Sequence, residues 1–221
     1  MSDRSRPSYG VWRRICQLSA LLLLVVAVPA AAAGRLVLAL GDSLTAGYQL
    51  PADASFPAQL QAALARNGIN ARVHNAGVSG DTTAQARARL GWVLQSLGRN
   101  PDLAIVALGA NDMLRGQPVA AAYANLDAIL AEFDRRRVPV ILAGMRAAPN
   151  LGADYRRAFD AIYPALAKKH RAILYPFFLE GVAAQPSLQL ADGMHPNRAG
   201  VARMVAGMEP LVRRALVGKQ P

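Results

Sequence analysis

The stretch LAIVALGAND, Leu103 to Asp112, decides the fold. Its six leading apolar residues have the length of a buried strand rather than of a helix, and Gly109 ends the run. A strand apolar on both faces belongs in a sheet covered on both sides, as parallel sheets are. Four weaker copies of this pattern lie outward from it. Leu36 to Leu40 runs into Gly41, Arg72 to Asn75 runs into Gly77, Val138 to Leu142 carries Pro139 at its start, and Ala172 to Tyr175 is the last. Helical patterns fill the intervals. Pro57 to Asn67 stops at Asn67-Gly68, and Thr82 to Leu97 opens on a capping box of Thr82 with Gln85. Pro118 to Arg137 sets Leu126, Ile129, Leu130 and Phe133 on one face. Asp154 to His170 reads as one helix through Pro164, and Asn197 to Val217 as the last. Strands alternating with helices predict an α/β fold, a three-layer α/β/α sandwich on a five-stranded parallel sheet, flavodoxin-like with order 2-1-3-4-5.

The chain has 221 residues, 25 of them Lys or Arg against 14 Asp or Glu, a formal charge of +11, and one cysteine. Its 53% hydrophobic content excludes a disordered chain, and a single Cys16 excludes a disulfide framework or a cysteine-based zinc site. The basic residues are mostly arginine and scattered, which reads as a solvated surface rather than a nucleic-acid stripe. Residues 1–33 read as a signal peptide. Arg4, Arg6, Arg13 and Arg14 form a positive start, Leu18 to Val28 an apolar core, and Ala30 to Ala33 a small-residue cleavage site. The core falls short of the ~20 apolar residues that span a bilayer, although an uncleaved anchor from Ile15 to Ala33 is the alternative. The paired Arg13-Arg14 leaves the export route open between the general and twin-arginine systems. Cleavage would take Cys16 with the leader and leave residues 34–221 as one domain with no thiol, in the periplasm or outside the cell.

Open parallel sheets bind ligands beyond the carboxyl ends of their strands, near the point where strand order reverses. The residues that follow the strands are therefore the candidates: Gly41-Asp42-Ser43-Leu44, Ser79-Gly80-Asp81, Gly109-Ala110-Asn111-Asp112 and, before the last helix, Asp192-Gly193-Met194-His195. With strand order 2-1-3-4-5, Ser43, Gly80 and Asn111 converge. A serine hydroxyl attacks well only when a base takes its proton, and that base needs a carboxylate to fix its tautomer. His195 and Asp192, three residues apart across a turn, supply both. The backbone N–H groups of Ser43 and Gly80 and the amide of Asn111 are the expected oxyanion donors. Taken singly, each of these residues is an ordinary turn, cap or loop residue; the expectation rests on the set. His74 and His170 read as structural. Asp42, Asp112 and Asp192 together would alternatively suit a metal-dependent phosphoryl-transfer site. The apolar connection Phe177 to Val182 either walls an acyl groove or packs on the core.

These blocks resemble those of the SGNH, or GDSL-type, hydrolases, in the family's order Ser43, Gly80, Asn111, His195. Gly41 to Tyr48, Ser79 to Thr82, Asn111 to Gly116 and Ile162-Tyr163-Pro164 look most similar to the family's periplasmic branch of Gram-negative bacteria, which joins thioesterase, lysophospholipase and arylesterase activities. The resemblance implies Ser43 as nucleophile, His195 as base, Asp192 as its orienter, and Ser43, Gly80 and Asn111 as oxyanion hole. Ala110 and Met113 stand where that branch has smaller residues, which bears on the width of the acyl pocket. The expected protein is a monomer acting on small acyl esters or thioesters, lysophospholipid included. It has no metal or other cofactor, no nucleic-acid partner and no membrane span after cleavage. A carbohydrate-ester deacetylase on the same frame is the alternative; a binding module without turnover is disfavoured by the intact set.

Overall fold

The computed structural model describes residues 34–218; the expected leader and Cys16 lie outside the described residues. Five parallel strands, β1 (Arg35–Gly41), β2 (Ala71–Gly77), β3 (Leu103–Ala107), β4 (Val140–Ala143) and β5 (Ile173–Tyr175), form one sheet in the order β2-β1-β3-β4-β5. The three central strands are buried almost throughout, as their unbroken apolar runs require, while β2 alternates and edge strand β5 is half-buried. Register aligns the strand ends: Gly41 lies beside Gly77 and Ala107, Ala107 beside Ala143, and Ala143 beside Tyr175. Every loop leaving a strand therefore emerges along one rim of the sheet.

Helices α1 (Ser43–Ala46), α2 (Phe56–Arg66), α3 (Thr83–Ser96), α4 (Ala110–Leu114), α5 (Val119–Arg135), α6 (Ala153–Asp160), α7 (Ile162–His170) and α8 (Arg198–Val217) connect and flank the strands. The helix α2 packs with α8, and α5 with α3 and α7. The capping box at Thr82 is present in both directions, with Thr82 accepting from the Gln85 N–H and the Gln85 side chain from the Thr82 N–H. Asn67 caps α2, with Gly68 left-handed behind it.

The sequence pattern erred at Asp154 to His170, which is two helices, α6 and α7, broken at Ala161. Pro164 is the reason. It cannot donate to the helix before it, but in the first turn of α7 no intrahelical acceptor is waiting for its missing N–H. The fourth strand also begins later than the pattern predicts, at Val140, because Pro139 lacks a ladder donor; its carbonyl still accepts from Ala104 N–H at 2.9 Å. The short helices α1 and α4 are too brief to leave a period in the sequence.

Candidate active site

Strand β1 ends on a glycine that nothing larger could replace. A Cβ at Gly41 would stand 2.0 Å from Thr45 Oγ1 and 2.9 Å from the Ala107 carbonyl. The chain turns at once, and Asp42 caps α1 by accepting from the Leu44 N–H at 3.0 Å. Ser43 thus becomes the first residue of a helix at the sheet rim, half-buried and at the wall of a cavity. Asp42 beneath it is 1% exposed. Burial pushes its carboxyl up to about 6 against the Leu44 N–H and the His195 side chain, which pull it down.

On the far side, the loop from Tyr175 returns across the sheet to a tight turn. Gly193 N–H donates to Leu190 O and Leu190 N–H to His195 O, while Gln189 bridges Pro196. Asp192 organises this turn: one carboxylate oxygen accepts from both Met194 and His195 N–H at 2.9 Å, and the other lies 2.7 Å from His195 Nδ1. Those donors, His195 N–H foremost, hold Asp192 down to about 2, so it is ionised at neutral pH. An ionised acceptor at Nδ1 assigns the proton to that nitrogen and leaves the Nε2 lone pair free. Nε2 lies 3.0 Å from Ser43 Oγ. The arrangement can take a proton from the serine and hold the resulting imidazolium against a carboxylate.

Asn111, in the first turn of α4, donates from Nδ2 to the Asp81 carbonyl at 3.0 Å and lies 3.4 Å from Asp42 Oδ2. Gly80, one residue before that carbonyl, has φ +85°, which favours glycine, and its own carbonyl accepts from Arg115 at 2.7 Å. Among the described residues, the N–H groups of Ser43 and Gly80 donate to no protein acceptor. Two buried contacts hold the loop to α4: Thr83 donates to Asp112 from its N–H at 2.8 Å and from Oγ1 at 2.6 Å. Arg89 ties the same loop to the strand ends, through Asp81 at 2.6 Å and the Gly41 and Ala76 carbonyls. Neither Asp112 nor Arg89 was singled out for this positioning role from sequence, because Asp112 meets Thr83 from 29 residues away and Arg89 joins a loop to two strand ends.

Ser43, Asn111 and His195 line one cavity of about 670 Å³; Gly80 lies on the adjoining loop, outside that lining. Most of the wall is apolar, with Leu44, Met113, Leu114, Met145, Phe177 and Leu179 among its residues, and Arg146, Arg156 and Asp160 its charged ones. Ala110 and Met113 both belong to it. The connection Phe177 to Val182 divides between the core and the cavity. Phe178 and Val182 are buried in the core, and Phe177 and Leu179 face the cavity. The carboxylates weighed as a metal set do not converge: Asp42 caps Leu44, Asp112 holds Thr83 and Asp192 holds His195. His74 pairs with Leu38 in the sheet, and burial lowers its basicity. His170 lies between two carboxylates at the other end of the sheet.

A family model described as GDSL-like lipase/acylhydrolase matches residues 39–203. An arylesterase of Vibrio mimicus is 39% identical over 181 residues, covering 82% of this chain and 90% of that protein. The thioesterase 1/protease 1/lysophospholipase L1 of Escherichia coli K12 is 40% identical over 177 residues, covering 80% and 83%. The crystal structure of AlinE4, an SGNH-hydrolase family esterase, superposes with a TM-score of 0.71 at 54% identity, covering 83% of this chain and 97% of that one.

Proposed function

Because this chain belongs to the GDSL-like lipase/acylhydrolase family, and is therefore an esterase of the SGNH type, we propose that Ser43 is its nucleophile, His195 its general base and Asp192 the carboxylate that orients the base. The observation that carries the reading is the unbroken chain from Asp192 Oδ2 to His195 Nδ1 at 2.7 Å and from His195 Nε2 to Ser43 Oγ at 3.0 Å, at the wall of an apolar cavity. Ser43 Oγ attacks the acyl carbonyl carbon while its proton passes to Nε2. The tetrahedral oxyanion is held by the Ser43 N–H and the Asn111 amide, with the Gly80 N–H from the adjoining loop. Collapse breaks the bond to the leaving oxygen or sulfur, which takes the proton from Nε2. Water then repeats the sequence on the Ser43 ester and releases the acid. Asn111 gives up its 3.4 Å contact with Asp42 Oδ2 to serve, while its bond to the Asp81 carbonyl stays as the anchor.

The substrate class we propose is acyl thioesters and carboxylic esters with medium or long chains, lysophospholipids included. The activities named for the V. mimicus and E. coli relatives support it, as does the cavity: about 670 Å³ of mostly apolar space suits an alkyl chain and greatly exceeds an acetyl group. We also read residues 1–33 as an export leader, which puts the enzyme in the periplasm or outside the cell. The test is an organophosphonate probe with peptide mapping, which is expected to label Ser43, together with a chain-length series from acetyl to palmitoyl on oxygen esters and thioesters. Full activity in Ser43→Ala would end the proposal. A maximum at acetyl would transfer it to deacetylation.

A further inference from the structure

The catalytic imidazole has a third neighbour that the reading above does not use. Tyr48 lies against the ring of His195, with centroids 4.4 Å apart and planes inclined by 37°. Asp192 and Ser43 hold the two nitrogens in the plane of the imidazole, so Tyr48 occupies a face of it.

The chain is shaped to put it there. Tyr48 follows directly on the helix that begins at Ser43, and both Gly47 and Tyr48 N–H groups donate back to the Ser43 carbonyl, at 3.1 and 3.2 Å. Gly47 has φ +84°, and a Cβ on it would stand 2.7 Å from that of Ser55. Gln49 on the other side has φ +55°, a left-handed conformation that is uncommon outside glycine and costs on the order of 1 kcal/mol. Its side chain donates to Tyr48 Oη at 3.2 Å. Two consecutive turns, one of them strained, thus flank an aromatic residue that is 38% exposed and so is not held there by burial in the core. The turn bearing His195 is held mainly by bonds within itself, and Ala191 to Met194 are all exposed.

Resting on the assignment of Ser43 and His195 made above, we propose that Tyr48 is a positioning residue for the base, a wall that stops the imidazole tilting away from Ser43 and an aromatic face that favours its charged form. The ring of His195 is neutral before attack and becomes an imidazolium as it takes the Ser43 proton. A cation over an aromatic face is attracted by the ring quadrupole. That attraction arises as the proton is transferred and is absent in the enzyme–substrate complex, so it lowers the barrier without tightening substrate binding. Tyr48 lies outside the cavity lining, in keeping with an effect that bypasses the substrate.

The experiment compares Tyr48→Phe, Tyr48→Leu and Tyr48→Ala with the unaltered chain, using one soluble ester and an organophosphonate probe. Tyr48→Phe is expected to keep kcat within about twofold. Tyr48→Ala is expected to lose about tenfold in kcat with KM within about twofold, and to slow labelling of Ser43 by a similar factor. Tyr48→Leu should fall between them, and it carries the test if the alanine variant fails to fold. Thermal midpoints are measured alongside, and loss of kcat with an unchanged midpoint separates positioning from folding. Wild-type kcat in both Tyr48→Ala and Tyr48→Leu, or a leucine variant as fast as phenylalanine, would overturn the proposal. Ser43→Ala is the control on the premise: if it stays active, the assignment of the nucleophile has failed. If it is inactive while the Tyr48 variants are normal, the fault lies with Tyr48 alone.

Discussion

The two ends of the sheet each hold a histidine with both ring nitrogens engaged, and the two are put to opposite uses. At the carboxyl end, His195 has a carboxylate at 2.7 Å on Nδ1 and a hydroxyl at 3.0 Å on Nε2. At the amino end, His170 closes α7 just before β5, with Asp134 at 2.6 Å on Nδ1 and Asp127 at 2.7 Å on Nε2. A carboxylate only accepts, so neither partner of His170 has a proton to give to the ring or to a substrate. A hydroxyl donates as well as accepts, so the neutral His195 satisfies both partners and still has a proton to gain. One oxygen type exchanged for another separates the proposed base from a clamp. Position differs as well: His170 is in the last turn of a helix, whereas His195 is on a loop at the rim of the cavity.

Substituting the two histidines in turn is the strongest way to break this comparison. We expect His195→Gln to lower kcat by about 10⁴-fold or more, since on the proposed assignment removing the base removes the nucleophile's activation with it. His170→Gln should leave kcat within about twofold. Steady-state rates on a p-nitrophenyl ester distinguish these outcomes, and comparable losses from the two substitutions would dissolve the contrast.

The carboxylates sharpen it through pH. Asp192 is held down to about 2 and stays charged, whereas Asp42, one residue before the serine, is pushed up to about 6 by burial. The folded chain therefore binds a proton at Asp42 more tightly than the unfolded chain does. That contribution to stability is complete below the unfolded value near 4 and is lost as pH rises through about 6. Its size is about 3 kcal/mol at most, from the displacement of the carboxyl. Denaturant titrations of the unaltered chain and of Asp42→Asn at pH 4.5 and pH 7 should differ by such a step, present in the first and missing in the second. Parallel profiles would mean that Asp42 does not titrate in this window.

The same contrast explains what the sequence made legible. Ser43, Gly80 and Asn111 follow β1, β2 and β3, and strand order 2-1-3-4-5 alone brings those strand ends together. His195 and Asp192 are three residues apart and meet through a local turn. All five could be read because their positions depend on register and on short-range geometry. The carboxylates of His170 lie 36 and 43 residues away on α5, and nothing local announces them. Tyr48 was similarly hidden. Its place over His195 depends on two left-handed residues and on a loop returning from the far edge of the sheet. The break at Ala161 belongs with these: the apolar spacing of Asp154 to His170 continues across it, and only Pro164 marks where the backbone bonding stops.

The smallest effect we expect is the stability carried by the clamp. Asp127 and Asp134 lie seven residues apart on α5, two turns along one face, and the His170 side chain between them is 7% exposed. Lys169 first, and His170 after it, hold the Asp127 carboxyl below the usual carboxylate range. The carboxylates themselves are 28% and 45% exposed, so water takes up part of what the ring gives, and the loss in His170→Gln should be about 1–2 kcal/mol. In a domain of this size that lowers the thermal midpoint by roughly 2–8 °C. A depressed carboxyl contributes above its unfolded value and ceases to as pH falls through its folded one, so the gap between His170→Gln and the unaltered chain should narrow below about pH 4. A gap that is constant with pH would point to lost packing at His170 instead of lost charge, and equal midpoints at neutral pH would show that two short bonds to carboxylates can hold a histidine without holding the fold.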